Sequence, residues 1–242
     1  MRSSKWLACL GPLALYAATL GCNPDPIVNP NLTDGGVQAP AVINFVHAAT
    51  DVQALDVYID QQRQFAALAY RKNTSNQKIA PASHKVELRR AGDPATTPPL
   101  LTANLNLLPG SGTLLTVLGR ASAGDGPSQL QLVAAPYGTA DSKTVKLRLL
   151  NAAVATPAVS LLSGSNGLTD AVAFASTSGY GSVPQLPVAT KLGLRPSRTA
   201  GDLASVTLPA MAIPGDVLTV IALGELDPLS DDPHFLAATE IG

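Results

Sequence analysis

His47, Asp51 and Asp56 bring an imidazole and two carboxylates within ten residues of one another. An imidazole near neutrality can take or give a proton, and with carboxylates beside it can orient a water or hold a cation. The same residues also have structural uses: an Asp in a turn accepts backbone N–H groups, and a His at a strand end can bond a loop carbonyl. Other chemistry is sparse. His84 and His234 stand far apart, and the tightest acidic run, Asp227 with Asp231-Asp232 before His234, offers few oxygen ligands for calcium. There is no Gly-x-Ser-x-Gly elbow. Gly110-Ser111-Gly112 and Gly179-Tyr180-Gly181-Ser182 read as turns, because neither opens a helix after a strand. No catalytic residue, metal centre or cofactor is expected. Aromatics are few, which weakens a sugar-stacking reading, with Tyr58, Tyr70, Tyr137 and Tyr180 as the exceptions.

The elements that must position these residues are strands. In residues 143–149 (KTVKLRL), Val145, Leu147 and Leu149 alternate with Thr144, Lys146 and Arg148. That period of two places apolar groups on one sheet face and charges on the other. Leu55, Val57 and Ile59 alternate in the same way around Asp56 and Tyr58, as do Val86 and Leu88 between Lys85, Glu87 and Arg89. Gly and Pro, 20 each, mark turns such as Gly92-Asp93-Pro94, Pro109-Gly110 and Pro214-Gly215. Strands are expected near 42–47, 54–59, 65–70, 84–90, 100–107, 113–119 and 129–135, and again near 144–151, 158–162, 171–175, 188–195, 203–208, 217–223 and 234–240. The best helical stretch, 61–70, is short.

The chain also repeats itself. Residues 43–58 (INFVHAATDVQALDVY) align without a gap on 147–162 (LRLLNAAVATPAVSLL). In the second copy Asn151 replaces His47, Ala155 replaces Asp51 and Ser160 replaces Asp56, so the fold does not demand the three polar residues. The pattern Phe45-Val46-His47-Ala48-Ala49 followed by Leu55-Asp56-Val57-Tyr58, with the later stretches Leu115-Thr116-Val117 and Leu218-Thr219-Val220, resembles the bacterial DUF4397 family. The resemblance implies homologous domains and no particular chemistry.

The N-terminus carries Arg2 and Lys5, then an uncharged run from Trp6 to Leu20, then Gly21-Cys22. This is the order of an export signal, too short to span a bilayer. Ala18-Thr19-Leu20-Gly21-Cys22 is similar to a lipoprotein box, in which Cys22 would carry the lipid. It would be the lone cysteine after removal of 1–21, an odd thiol in an oxidising compartment that acylation explains. The remaining chain has 14 basic and 17 acidic residues, a balance of −3, which favours neither nucleic acid nor anionic lipid.

The expectation is an all-β chain: signal peptide 1–21, Pro/Asn-rich tether 22–40, and two tandem immunoglobulin-like or transthyretin-like antiparallel β-sandwiches at 41–138 and 143–242. The functional expectation is a non-catalytic bacterial envelope protein held at the membrane by lipid on Cys22, acting as a binding or structural module with an envelope protein or glycan as partner. The alternatives are an accessory, ligand-binding subunit of a surface adhesin or enzyme complex, and a hydrolase built around His47, Asp51 and Asp56.

Overall fold

Strand β1, Ala41–Ala49, shows why this chain folds as it does: its run AVINFVHAA is buried at every position but Val42. A strand so apolar on both sides needs cover on both faces. The computed structural model describes residues 38–94, 96–123, 128–187, 189–196, 201–207 and 212–224, and the backbone of 234–240. The expected signal, Cys22 and most of the tether lie outside the described residues, as do Asp227, Asp231 and Asp232.

The first half contains β1, β2 (Ala54–Ile59), β3 (Gln62–Ala69), β4 (Gln77–Ile79), β5 (Ser83–Arg90), β6 (Leu101–Asn106), β7 (Gly112–Gly119) and β8 (Gln131–Pro136). They form two four-stranded sheets, β4-β1-β7-β8 and β3-β2-β5-β6. Ile43, Phe45, Leu55, Val57, Leu88, Leu115 and Val117 fill the space between them. The second half contains β9 (Val145–Asn151), β10 (Val159–Ser163), β11 (Asn166–Gly167), β12 (Ser176–Thr177), β13 (Gly181–Val183), β14 (Lys191–Pro196), β15 (Ala204–Thr207), β16 (Val217–Leu223) and β17 (His234–Glu240). Its sheets are β12-β9-β16-β17, with β13 also on β9, and β11-β10-β14-β15. Val145, Leu147, Leu149, Leu161, Leu192 and Val220 make their core.

The all-β sandwich expectation holds, with one correction. Two of the four sheets are mixed, because β1 pairs β7 and β9 pairs β16 in parallel, while β3-β2-β5-β6 and β11-β10-β14-β15 are antiparallel throughout. The 61–70 stretch is strand β3, entered through a tight turn at Asp60-Gln61 with φ of 49° and 67°, the signature of a two-residue hairpin. Near 171–175 there is a single bridge, Val172 to Val159, rather than a strand. Four short strands, β4, β11, β12 and β13, lack enough residues to show a period.

A third core follows from the doubly buried strands. Val46, Ala48, Leu114 and Leu118, on the outward face of the β1/β7 sheet, cluster with Leu150, Ala152, Ile221 and Leu223 of the β9/β16 sheet. Among the described residues the sheets of the two halves share no strand, yet their reverse faces pack together, and Gln38–Gly242 is one compact unit.

Candidate functional site

His47 lies near the end of β1, fully buried. Its Nδ1 accepts the Ala49 N–H at 3.3 Å, which puts the ring proton on Nε2 in the neutral form. Nε2 is buried without a hydrogen-bond partner, and the Tyr70 ring meets the imidazole edge-on at 5.9 Å. Burial pushes the His47 pKa down to about 4 and outweighs the opposing pull of the Val52 backbone. The ring thus accepts a backbone N–H at Nδ1, and the Val52 backbone, in the loop that follows β1, favours its protonated form. Asn151 repeats that bond: its Oδ1 accepts the Ala153 N–H at 3.1 Å, and its Nδ2 adds one that His47 lacks, to the Val172 carbonyl at 3.2 Å.

Asp51 is exposed, in the turn after β1. Its two oxygens accept the N–H groups of Ala121 and Ser122, both at 2.8 Å, capping a single 3-10 turn at Ala121–Ala123. Partial burial pushes its pKa up, but the bonds from the Ser122 side chain and the two N–H groups outweigh this and hold it below the usual range. Asp56 is buried on β2, beside an irregularity in the β2/β3 register. One oxygen accepts the Ala67 N–H at 2.7 Å and the other meets Arg63 at 3.3 Å. Ala67, which with Ala66 stands opposite Asp56 in that irregular stretch, has a φ of 49°, a conformation costly for a residue with a Cβ. The carboxylate staples it.

No hydrogen bond or ion pair joins any two of His47, Asp51 and Asp56; each is engaged with its own stretch of backbone. Among the described residues no group of three His, Cys, Asp or Glu is placed to hold a metal ion. A Ser-x-x-Lys spacing does occur at Ser75 and Lys78. Both are exposed, Lys78 on edge strand β4, and no hydrogen bond joins them.

Sequence reasoning missed two arrangements. His84 Nδ1 meets Asp60 Oδ2 at 2.7 Å, its Nε2 meets the Ala80 carbonyl at 2.8 Å, and Asp60 Oδ1 accepts the Lys85 N–H at 2.9 Å. Burial lowers the His84 pKa, but Asp60 and the carbonyl raise it further, so the net shift is upward. The bond from His84 holds Asp60 low. The pair joins the β2–β3 turn to the start of β5, 24 residues away with β3 and β4 between, so no local spacing could reveal it. The other is Arg148, only 4% exposed. Its Nε donates to Thr219 Oγ1 at 2.8 Å, its two amino groups donate to the carbonyls of Pro136 at 2.8 Å and Ala135 at 3.3 Å, and it lies over the Tyr180 ring at 4.7 Å. Alternation predicted a solvent-facing charge here; the first half covers it instead.

Two clefts flank this contact. One of about 400 Å³ is lined by Gly167, Leu168, Thr169, Asp170, Tyr180 and Gly181, and one of about 360 Å³ by Val42, Gly110, Ser111, Pro136, Tyr137 and Gly138. None of His47, Asp51 and Asp56 lines either. Gly138 is required where it stands, because a Cβ there would meet the Tyr180 ring at 2.7 Å.

The fold and these contacts define an all-β sandwich protein whose polar side chains serve mainly its own backbone. Residues 41–162 match the family described as Domain of unknown function (DUF4397), and the chain belongs to that family. The match runs past residue 138 through β9 and into β10. No curated protein matches the chain.

Proposed function

We propose that this chain is a non-catalytic, lipid-anchored protein of a bacterial envelope, built from two tandem DUF4397-type sandwiches and acting as a binding or structural module. One observation carries the reading: His47, Asp51 and Asp56 are each taken up by the protein's own backbone, and none of them lines the cleft at Tyr180 or the cleft at Tyr137. The tandem reading is supported by matched bonds 104 residues apart. The Phe45 N–H donates to Thr74 Oγ1 at 3.0 Å and the Leu149 N–H to Ser178 Oγ at 2.9 Å, while Thr74 and Ser178 return their N–H groups to Phe45 and Leu149. The anchor rests on the apolar run ending at Cys22. Metabolic labelling with a fatty-acid probe should mark the wild type and miss Cys22→Ser; equal labelling of both overturns the anchor.

A ligand-binding, accessory role is favoured by the cleft at Tyr180. Its ring is braced by Arg148, and Asp170 is exposed beside it. A glycan array should then show binding that Tyr180→Ala abolishes, and a blank array removes this second reading.

A further inference from the structure

The two most exposed large apolar side chains among the described residues are Leu108, 70% exposed, and Ile213, 47% exposed. They occupy the same place in the two halves. Leu108-Pro109-Gly110-Ser111 and Ile213-Pro214-Gly215-Asp216 are turns with Pro at the second position and Gly of positive φ, 68° and 102°, at the third. The Ser111 N–H closes on the Leu108 carbonyl at 3.1 Å and the Asp216 N–H on the Ile213 carbonyl at 3.0 Å. Each turn is also tied to the strand that follows the chain's entry into that half: the Val42 N–H donates to the Ser111 carbonyl at 2.7 Å, and the Lys146 N–H to the Asp216 carbonyl at 2.9 Å. A lone exposed Leu means little. An aliphatic group held at the same tip in both halves, which otherwise differ at residues as buried as His47 and Asn151, is a repeated feature.

The two tips share one end of the molecule. Arg148, opposite Thr219 at the start of β16, reaches the carbonyls of Ala135 and Pro136, which pair with Leu114 and Thr113 at the start of β7. Each tip runs directly into one of these strand starts. The first tip is also bonded to the chain's entry point, since the Gly110 N–H donates to the Ala39 carbonyl at 3.0 Å.

We propose that Leu108 and Ile213 form a paired apolar tip that inserts into the interfacial region of a lipid bilayer. The proposal rests on the Cys22 anchor proposed above. Ala39 stands seventeen positions after Cys22, so even fully drawn out the chain holds Ala39 within about 60 Å of the acylated cysteine. The end of the sandwich that the anchor reaches first is thus the end carrying the exposed aliphatics. The lipid needs no net charge. The first tip has no ionisable group, and in the second the Asp216 carboxylate accepts the Ile213 N–H at 2.9 Å. Rigid Pro-Gly turns present the side chains with little ordering cost.

The test uses the mature lipidated protein on vesicles of phosphatidylcholine and phosphatidylethanolamine, with an environment-sensitive fluorophore on Leu108→Cys, Ile213→Cys or, as a control at the far end of β1, Gln53→Cys. Flotation with the vesicles, compared with Cys22→Ser, reads the anchor independently. The expected result is a blue-shifted emission at 108 and 213, quenched by doxyl lipids, and water-like emission at 53. Flotation with water-like emission at all three sites overturns the tip and leaves the anchor standing. A blue shift without doxyl quenching means that a second copy or another protein covers the tip, and it overturns the lipid assignment. A wild type that does not float overturns both.

Discussion

Replacing His47 with Asn, the residue its counterpart Asn151 already uses, should remove a specific acid sensitivity. In the folded protein the imidazole resists protonation until about pH 4, because burial strips water from the charged ring and this outweighs the pull of the Val52 backbone. In the unfolded chain it titrates near 6.5. The group's pKa is depressed on folding, so the unfolded state binds the extra proton between those values, and stability falls as pH drops through this window. At about 1.36 kcal/mol per pH unit, the loss is roughly 2 kcal/mol between pH 7 and pH 5 and roughly 3 kcal/mol by pH 4. Asn does not titrate, and it can reproduce both bonds of Asn151, one from the Ala49 N–H and one to the carbonyl of Leu68, which pairs with Leu55 as Val172 does with Val159. Urea titrations of wild type and His47→Asn, followed by far-UV circular dichroism at pH 7, 5 and 4, isolate the effect, since every other titrating group is common to both. The wild type should lose about 3 kcal/mol relative to the variant across that range. A difference that stays constant within about 0.5 kcal/mol would refute the claim that His47 is buried neutral.

Arg148→Leu should cost about 2–3 kcal/mol, because two carbonyls and a hydroxyl lose a charged donor in a buried contact; a urea midpoint unchanged from wild type would show that the guanidinium holds nothing. Asp51→Ala should keep the fold and cost about 0.5–2 kcal/mol, the range of a lost cap, with calcium or zinc moving the melting temperature equally in both proteins; a metal-dependent rise confined to the wild type would make Asp51 a ligand. The His84 resonance should titrate above 6.5 by NMR and move down in Asp60→Asn. With His84 raised, the pair's contribution is complete below 6.5 and fades as pH rises through the folded His84 value; on the acid side it is lost as pH falls from 3.8 through the lowered Asp60 value.

The pairing of β1 with β7 shows where reading by period stops. Turn residues and alternation located most long strands to within a few positions, since both are local properties of the backbone. Partner and direction are not local: β1 and β7 lie some seventy residues apart and run parallel. The two Leu-Thr-Val stretches illustrate the same limit. They lie in corresponding strands, but Thr116 faces Val46 whereas Thr219 faces Arg148. Since Val46 and Leu150 are the aligned positions, the match is two residues out of register. A shift of two keeps every side chain on its face, so composition could not expose it.

Among the candidate residues, the sequence by itself offered a reason to expect the fold to form without His47, Asp51 and Asp56, because the aligned positions of its second half hold Asn151, Ala155 and Ser160. It also set the all-β class and the place of the Pro-Gly turns, which depend on backbone preferences within a few residues. Tertiary structure alone decided what those groups touch. It left the Nε2 of His47 without a hydrogen-bond partner, set Asp51 on a turn seventy residues away, and paired His84 on β5 with Asp60 in the β2–β3 turn. It also turned Arg148 from an expected surface charge into a buried tie between the halves. An alternating pattern says which face of a strand is apolar, but the third core, where Val46 and Leu114 meet Leu150 and Ile221, forms only when a second sheet arrives to cover the other face.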